Sequence, residues 1–244
     1  MRLTRVHVPG PLAAGSRRIL EGDAANHILR VLRLRPGDPL TLFDGSGAEH
    51  AARIEEVRKS AVTVTLGDCS SPLRESPLRL TLAQGISRGE RMDWVVQKST
   101  ELGVSRIVPI QTERTVVKLD SQQSARKLHH WQAIAIAACE QCGRNTLPEV
   151  DAPQTLHEFL RDADTDATRL LLSPAGSLRI DELTPAAPRI TVLIGPEGGL
   201  AEPEQRAALA AGFLAVRLGP RVLRTETAAV TALALLQHRF GDLV

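Results

Sequence analysis

Three segments that follow predicted strands carry the residue types best suited to binding and chemistry. They are residues 172–174 (Leu-Ser-Pro), residues 194–200 (Ile-Gly-Pro-Glu-Gly-Gly-Leu), and residues 218–228, which contain two arginines, two threonines and a glutamate. Open α/β sheets bind their ligands outside the carboxyl ends of the strands, so we expect a ligand at these strand ends. Glycine permits positive φ and a close approach of the backbone, and a following helix offers unpaired N–H groups. The pattern indicates loops that can hold a nucleotide-like ligand.

Other interpretations of these glycines remain open. Glycine turns between a strand and a helix are also common in proteins that bind nothing there. The chain lacks the spacings G-x-G-x-x-G and G-x-x-x-x-G-K-[ST]. Their absence argues against a dinucleotide-binding fold and against a P-loop.

The residues before the last predicted helix combine charges with hydroxyl groups. Thr225 is predicted as the N-cap, and the helix dipole favours Glu226 in the first turn. Capping does not explain Arg221 and Arg224, because a cation is disfavoured at a helix N-terminus. We therefore expect an anion or an acidic partner near these two arginines.

A further cluster ends a long predicted helix, where Gly143 is the stop signal and Arg144 follows it. The helix dipole explains a cation there as well as a functional role does. Cys139 and Cys142 form a C-x-x-C, but no second such pair or well-spaced histidine pair completes the roughly four ligands that zinc requires. We expect two small apolar side chains and no metal, with zinc or redox chemistry as the alternative.

The composition is typical of a folded protein. Of the 244 residues 43% are hydrophobic and 24% are charged, which excludes disordered and fibrous classes. No apolar run approaches the roughly 18 residues of a membrane helix, and three cysteines cannot form a fully paired disulfide framework. We expect a cytoplasmic protein without a membrane partner. Only four of the 30 basic residues are lysine; arginine suits phosphate, although biased nucleotide composition explains the excess equally well.

Two regions of different periodicity must position these residues. Residues 1–70 are predicted to form short strands separated by turns, with one helix that Asp23 caps and that buries Ile28. This pattern indicates a small β-barrel. Residues 71–78 contain two prolines and no periodicity, which is typical of a linker. From residue 79 strands and helices alternate, which predicts an α/β domain with a mostly parallel sheet.

The α/β region divides into two sets of predicted elements. The strands are 79–83, 106–110, 169–173, 190–194 and 214–218. The helices are 90–102, 121–142, 155–163, 203–211 and 225–240. An apolar stripe on the first of these helices predicts core packing rather than a cofactor site; it consists of Met92, Val95, Val96, Ser99 and Leu102.

Several segments together resemble one family, the SPOUT methyltransferases, and within it the bacterial 16S ribosomal RNA uridine N3-methyltransferases of the small-subunit methyltransferase E type. The similar segments span nearly the whole chain and are 27–38 (HILRVLRLRPGD), 42–45 (LFDG), 87–104 (SRGERMDWVVQKSTELGV), 134–144 (IAIAACEQCGR), 193–200 (LIGPEGGL), 218–228 (LGPRVLRTETA) and 237–243 (QHRFGDL). The segments at 193–200 and 218–228 are highly specific. Ala201 departs from the pattern, which often has serine there, so the next helix loses a capping hydroxyl.

The resemblance implies an α/β protein in two parts. Residues 1–70 would form a PUA-like β-barrel that binds RNA, and residues 79–244 a SPOUT methyltransferase domain with a C-terminal trefoil knot. That domain would bind S-adenosyl-L-methionine and form a homodimer. The residues that would hold the cofactor are Leu172, Ser173, Ile194, Gly195, Pro196, Glu197, Gly198, Gly199, Leu218, Gly219, Val222, Leu223, Thr225 and Ala228.

Methylation at uracil N3 sets chemical requirements, because N3 carries a proton and is a poor nucleophile at neutral pH. Arg144 or Arg224 is expected to stabilise negative charge on uracil O2 or O4. Glu226 or Glu197 is expected either to accept the proton or to orient these arginines, and the sequence leaves both roles open. N3 lies on the pairing edge of the base, so the target uridine must be unpaired or flipped out.

The expected partner is 16S rRNA or the small ribosomal subunit. Arginines are the candidates for phosphate contacts, with an ordinary solvated face as the alternative; they are Arg17, Arg18, Arg30, Arg33, Arg35, Arg88 and Arg91. Two other function classes stay open. One is a non-catalytic RNA-binding module, and the other is a methyltransferase with the same cofactor that acts on another RNA or on a protein.

Overall fold

The structure, a computed structural model, describes residues 4–115 and 119–244. The chain forms two compact units. Unit 1 consists of Met1–Glu75 and Ile136–Leu147, and unit 2 of Ser76–Ala135 and Pro148–Val244. One long helix, Ser121–Cys142, therefore contributes its last residues to unit 1 and the others to unit 2.

Unit 1 is built on a mostly antiparallel sheet in the region where strands were predicted, and two of its strands, the fourth and fifth in chain order, are longer than expected, with nine residues each. The strands are β1 Arg5–His7, β2 Arg17–Leu20, β3 Pro39–Phe43, β4 Glu49–Val57 and β5 Val62–Ser70. Their order in the sheet is β1-β3-β4-β5-β2, with β1 parallel to β3 and the other pairs antiparallel. Alternate residues of β4 and β5, among them Ile54, Val64 and Leu66, are buried in the core of this unit. This alternation is the period of two that strands impose on side chains.

The predicted helix of unit 1 is confirmed, with a different beginning. Helix α1 spans Gly22–Asn26 and continues as a π-helical turn over His27–Leu32. The N-cap position is occupied by Glu21, so the prediction that Asp23 caps the helix is wrong. Asp23 lies in the first turn instead, where the helix dipole favours its negative charge. Arg33 follows the π-helical turn in the left-handed region, with φ of 54°.

The α/β architecture predicted from residue 79 onward is confirmed. The strands are β6 Arg79–Gly85, β7 Arg106–Gln111, β8 Glu149–Val150, β9 Gln154–Thr155, β10 Thr168–Leu172, β11 Arg189–Ile194 and β12 Leu214–Val216. The helices are α2 Arg91–Glu101, α3 Ser121–Cys142, α4 Leu156–Arg161, α5 Glu202–Ala210 and α6 Thr225–Phe240, with a 3₁₀ turn at Ile180–Glu182. Helices α3 and α6 begin and end at the predicted residues.

The strands of unit 2 form a parallel sheet in the order β12-β10-β11-β6-β7-β8, and β9 pairs with β7. Strands β8 and β9 have two residues each, too few for a periodic pattern, so the sequence did not indicate them. Strand β12 ends at Val216 rather than at the predicted Leu218. Leu218 therefore belongs to the irregular segment that precedes α6.

Alternate residues of these strands pack on opposite faces of the sheet. Leu170 and Val192 lie in a core with residues of α2 and α6, whereas Leu171 and Leu193 lie in a second core with residues of α4 and α5. The apolar stripe predicted on α2 belongs to the first core. A parallel sheet covered on both faces leaves the carboxyl ends of its strands as the place for a ligand.

The two cysteines of the C-x-x-C differ in burial, because Cys139 is packed in the interior and Cys142 is partly exposed. Cys139 is buried, and burial raises the pKa of its thiol to about 12. The thiolate that zinc and redox chemistry use is therefore disfavoured. Within residues 4–115 and 119–244, no group of three or more His, Cys, Asp and Glu side chains is placed to hold a metal ion. No helix in those ranges has the length and apolar character to cross a membrane.

Candidate functional site

A cavity of about 640 Å³ lies in unit 2, beside the carboxyl ends of β10 and β11 and the segment that follows β12. Its volume is typical of small-molecule sites in proteins. The cavity wall contains every residue for which the resemblance implied cofactor binding: Leu172, Ser173, Ile194, Gly195, Pro196, Glu197, Gly198, Gly199, Leu218, Gly219, Val222, Leu223, Thr225 and Ala228. The fold thus brings the three strand-end segments together around one space.

Other residues of the wall were not predicted to contact the cofactor. Two of them, Leu171 and Val216, are buried in strands, where the sequence pattern indicates only core packing. Gln205 reaches the cavity from α5 and donates its Nε2 hydrogen to Leu200 O at 3.0 Å. Position 205 lies in the first turn of α5, directly after the glycine-rich loop. A side chain there is close enough to the loop to contact the same ligand, and this spacing could have identified Gln205 from the sequence.

The path of the loop at residues 194–200 requires its glycines. A Cβ on Gly195 would lie 2.8 Å from the carbonyl carbon of Gly199, and Gly199 itself has φ of 66°. The Gly199 N–H closes the turn by donating to Pro196 O at 2.8 Å. A Cβ on Gly85, the last residue of β6, would lie 2.4 Å from Pro196 N. The loop backbone therefore packs directly on the end of β6, at a distance that only glycine permits.

Thr225 holds this loop rather than capping α6. Arg224 occupies the N-cap position and its side chain makes no capping hydrogen bond, so the predicted cap is wrong. The Thr225 hydroxyl donates to Gly195 O at 2.7 Å and accepts from Gln84 Nε2 at 2.8 Å. Thr225 is the first residue of the helix, and its hydroxyl satisfies partners on two other elements.

Two carboxylates of the cavity wall face Arg91, which was predicted to bind RNA. Arg91 Nη1 lies 2.7 Å from Glu197 Oε1, and Arg91 Nε lies 3.9 Å from Glu226 Oε1. Burial alone would raise the pKa of Glu197. Hydrogen bonds from the Arg88 N–H at 2.9 Å, from its own N–H and from Arg91 outweigh burial and hold that pKa below its ordinary value.

Glu226 differs from Glu197 in the hydrogen bonding of one oxygen. Glu226 Oε2 is buried and has no hydrogen-bond partner among the residues that the structure describes. Burial of an unpaired carboxylate oxygen is costly, so this atom is suited to a donor group of a ligand. Of the two carboxylates predicted as proton acceptors, Glu226 is the one with such an oxygen. Both carboxylates face Arg91, rather than the Arg144 or Arg224 that they were predicted to orient.

Arg221 and Arg224 line the same cavity and are exposed. In the described ranges, no acidic side chain pairs with either of them, so the acidic partner expected from the sequence is not found there. The remaining expectation is that an anionic group of a ligand or substrate approaches these guanidinium groups.

Arg144 belongs to unit 1 and does not line the cavity. It follows Gly143, whose φ of 93° ends α3 as predicted. Its side chain is buried and donates to Glu75, with Nη2 2.6 Å from Oε2 and Nε 3.1 Å from both carboxylate oxygens. Glu75 lies in the predicted linker, and no local pattern indicated this pair.

The remaining arginines predicted to bind RNA fall into two groups. Arg17 forms an ion pair with Glu55, and Arg18 donates to Pro9 O and Pro11 O at 2.6 and 2.7 Å. The other arginines are exposed, and their guanidinium groups have no hydrogen bond or ion pair within the described part of the chain; they are Arg30, Arg33, Arg35 and Arg88.

Replacing Ala201 with serine is expected to stabilise the glycine-loop end of α5. Ala201 is the N-cap of α5, with φ of −66° and ψ of 157°, and Glu204 Oε2 accepts its N–H at 2.8 Å. This is half of a capping box, and a serine oxygen would supply the other half. We expect a gain of about 1 kcal/mol and a rise of about 2–4 °C in the thermal unfolding midpoint, measured by calorimetry.

Ala207→Ser is the matched control for Ala201→Ser, because it places the same hydroxyl at an exposed position in the interior of α5. We expect that change to leave the midpoint unchanged or slightly lower. An Ala201→Ser midpoint at or below that of the unmodified chain would contradict the capping explanation.

The chain is similar to proteins that modify RNA. The family model of an RNA methyltransferase domain matches residues 74–237, and that of an RNA methyltransferase PUA domain matches residues 20–67. Ribosomal RNA small subunit methyltransferase E of Buchnera aphidicola subsp. Schizaphis graminum is 33% identical over 242 residues, which cover 99% of this chain and 98% of that protein.

Two solved structures match over the full length of both chains. A Legionella pneumophila protein in complex with the bound cofactor SAM is 46% identical, with a TM-score of 0.96. A ribosomal RNA small subunit methyltransferase E from Neisseria gonorrhoeae, bound to S-adenosyl methionine, is 40% identical, with a TM-score of 0.93. The domain matches and the full-length identity agree, and the chain belongs to the ribosomal RNA small subunit methyltransferase E family.

Proposed function

We propose that this protein is an S-adenosyl-L-methionine-dependent methyltransferase that methylates N3 of a specific uridine in the 16S rRNA of the small ribosomal subunit. The observation that carries the proposal is the cavity at the carboxyl ends of β10 and β11, whose wall contains Glu226 and Arg224. Two full-length structural neighbours are bound to S-adenosyl methionine, and relatives carry the name ribosomal RNA small subunit methyltransferase E. This function requires access to ribosomal RNA, in agreement with the expected cytoplasmic location.

The residues of the cavity fit the methyl donor. Leucine and isoleucine side chains of the strand ends offer an apolar surface for an adenine ring, and the loop at residues 194–200 brings its backbone close to the ligand. The donor supplies a methyl group on a positively charged sulfur. That charge disappears during transfer, so a carboxylate held against the sulfur would stabilise the ground state more than the transition state. Glu197 is held by Arg91 and the Arg88 N–H, which limits this effect.

Glu226 is the proposed acceptor of the uracil proton. Its Oε2 has no hydrogen-bond partner among the described residues and is buried, so it can accept from an N3–H group without displacing an existing bond. As the bond from N3 to the methyl carbon forms and the sulfur–carbon bond breaks, the N3 proton passes to this oxygen. Arg224 is the proposed cation for uracil O2 or O4. Arg144 remains the second candidate, and it would first have to exchange its contacts with Glu75.

The domain assignment is part of the proposal. Residues 1–70 are proposed to form a PUA-like RNA-binding barrel, 71–78 a linker, and 79–244 a SPOUT domain that dimerises and carries a C-terminal trefoil knot. The match of a PUA domain model to residues 20–67 supports the first assignment. The match of an RNA methyltransferase domain model to residues 74–237 supports a methyltransferase domain in the second part.

Reversing the charge of Arg30 and Arg35 together is expected to weaken binding of small-subunit RNA. Both are exposed, and neither guanidinium group has a partner in the described ranges. Loss of two phosphate contacts lowers affinity by about tenfold or more and makes the slope of log K against log salt shallower by about 2. Filter binding of 16S rRNA at several salt concentrations measures both effects.

Arg58→Glu serves as the control for Arg30→Glu/Arg35→Glu. Arg58 is also exposed in unit 1, but it pairs with Glu56 and was not predicted to bind RNA. Affinity for the methyl donor is expected to stay unchanged in all of these variants. A salt slope equal to that of the unmodified chain would contradict phosphate contacts by Arg30 and Arg35.

The proposed activity is tested by transfer of labelled methyl groups. The protein is incubated with S-adenosyl-L-methionine carrying a labelled methyl group and, in separate reactions, with small ribosomal subunits, large ribosomal subunits and transfer RNA from cells that lack this protein. We expect label in 16S rRNA and none in large-subunit RNA or ribosomal proteins. Label in another RNA or in protein would favour a different substrate, and donor binding without transfer would favour a non-catalytic RNA-binding module.

A further inference from the structure

Gln84 is a fully buried polar side chain at the carboxyl end of β6. Its Nε2 donates to Thr225 Oγ1 at 2.8 Å and to Gly85 O at 3.0 Å. Thr225 is also buried, and its hydroxyl donates to Gly195 O at 2.7 Å. Two side chains therefore connect the end of β6, the first residue of α6 and the loop at residues 194–200.

The direction of each hydrogen bond in this connection follows from the chemistry of the groups. A carbonyl oxygen only accepts, so the Thr225 hydroxyl must donate to Gly195 O and accept from Gln84. The reversed amide of Gln84 would place its oxygen 3.0 Å from the Gly85 carbonyl oxygen, which would bring two acceptors together. The connection thus needs an amide donor at position 84 and a hydroxyl at position 225.

The fold itself does not need an amide at this position. Gln84 pairs in register with Ile194 of β11, and Leu80 and Leu82 of the same strand are fully buried and apolar. Gln84 Oε1 has no hydrogen-bond partner within the described ranges. A buried oxygen without a partner lowers stability relative to an apolar side chain of similar size. Because stability does not account for an amide at position 84, we infer that the amide serves to position the groups to which it donates hydrogen bonds.

The groups held by Gln84 belong to the candidate site. Gly195 and Thr225 both line the cavity, and Thr225 directly precedes Glu226. Holding the Gly195 carbonyl fixes the plane of the Gly195–Pro196 peptide, from which the turn closed by Gly199 begins. Methyl transfer depends on alignment of donor and acceptor, and a displacement of about 1 Å can lower a rate by about 100-fold.

We propose that Gln84 is a positioning residue that acts through Thr225 and sets the loop at residues 194–200 relative to Glu226. It thereby aligns the methyl donor with the uracil nitrogen. The proposal rests on the proposed function. Gln84 does not line the cavity, so it contributes to the reaction without touching the donor or the base.

The test compares Gln84→Met, Thr225→Val and the double variant in the full-length protein. Calorimetric titration with S-adenosyl-L-methionine gives Kd, and methyl transfer to small subunits gives kcat. We expect each single change to raise Kd by about tenfold and to lower kcat by about tenfold or more. Both changes break the same connection, so their effects should not add. We expect Kd and kcat of the double variant to lie within about threefold of those of the more impaired single variant.

Two further variants separate positioning from stability. Gln84→Met removes a buried unpaired oxygen, which favours the folded state, and two buried hydrogen bonds, whose loss opposes it. We therefore expect its unfolding midpoint to stay within about 4 °C of that of the unmodified chain while Kd and kcat worsen. Ser99→Ala also removes a buried polar group, but the Ser99 hydroxyl bonds within α2 to Val95 O and Val96 O, so we expect unchanged Kd and kcat. Thr225→Ser keeps the hydroxyl and is expected to recover most of the affinity that Thr225→Val loses.

The outcomes distinguish this proposal from the function on which it rests. If the unmodified protein does not bind the donor, the proposed function fails and the positioning role fails with it. If the unmodified protein binds and Gln84→Met keeps its Kd and kcat, the positioning role alone is overturned. The same conclusion follows if Gln84→Met loses activity only in proportion to lost stability. If Thr225→Val does not fold, Thr225→Ser provides the test, because it keeps the hydroxyl group. A folded Thr225→Ser that no longer binds S-adenosyl-L-methionine would also overturn the proposal.

Discussion

Replacing Glu226 with glutamine is expected to lower kcat by about 100-fold or more while Kd for S-adenosyl-L-methionine stays nearly unchanged. Glutamine keeps the size of the side chain but cannot take a proton. Glu226 Oε2 is the buried oxygen of the cavity wall without a partner among the described residues, so the loss falls on the chemical step. Single-turnover methyl transfer to small subunits measures the rate, and calorimetry measures donor affinity.

Glu202→Gln is the matched control for Glu226→Gln. Glu202 lies on the exposed side of α5 and pairs with Arg206, so the same change of carboxylate to amide should leave the rate unaltered. A rise in pH should restore part of the rate of Glu226→Gln, because uracil then ionises without an acceptor on the protein. A rate within about threefold of the unmodified chain would remove Glu226 from the proposed mechanism.

Replacing Gly85 with alanine is expected to raise Kd for the methyl donor by about 100-fold or more. A Cβ on Gly85 would lie 2.4 Å from Pro196 N, 2.5 Å from Pro196 Cδ and 2.7 Å from the carbonyl carbon of Gly195. These are mainly backbone atoms in a packed region, so the loop at residues 194–200 must move to relieve the overlap. Calorimetric titration with the donor measures the effect.

Gly67→Ala is the control for Gly85→Ala, because its Cβ would lie 3.4 Å from Ala51 O, an ordinary van der Waals distance, in a strand of unit 1. Circular dichroism establishes that both variants are folded at the titration temperature. Donor affinity near that of the unmodified chain in a folded Gly85→Ala would contradict the described packing of the loop on β6.

Much of the fold could be predicted because its signals are local. Helix α3 ends where Gly143 adopts a φ of 93°, and α6 spans its predicted range of 225–240 because its apolar face extends over the whole helix. The strands of both sheets were also recognised from short apolar runs between turns. Two-residue strands escaped detection, since a period of two needs more residues to be visible.

At Thr225, Glu75 and Gln84, the errors and omissions concern contacts between residues far apart in the sequence. Thr225 has the residue type and position of an N-cap, but its hydroxyl bonds to Gly195 and Gln84, which only the fold brings near. Glu75 pairs with Arg144 across 69 positions, and Gln84 reaches Thr225 across 141. Spacing within a segment carries no information about such pairs.

The residues for which the resemblance implied cofactor binding all line one cavity. They belong to continuous segments at strand ends, which are visible in the sequence. The roles of the charged residues depended on geometry that the sequence does not give. Arg91 was predicted to bind RNA, and in the structure it forms an ion pair with Glu197. Glu226 is the carboxylate whose Oε2 has no hydrogen-bond partner among the described residues.

The most direct test of the account is nucleoside mass spectrometry of 16S rRNA. Small subunits from cells lacking this protein are incubated with the purified protein and S-adenosyl-L-methionine, and the RNA is digested to nucleosides. We predict about one 3-methyluridine per molecule of 16S rRNA, and we predict that Glu226→Gln forms it about 100-fold or more slowly. Absence of any new methylated nucleoside, or methylation at another atom or base, would contradict the assignment of this cavity to uridine N3 methylation.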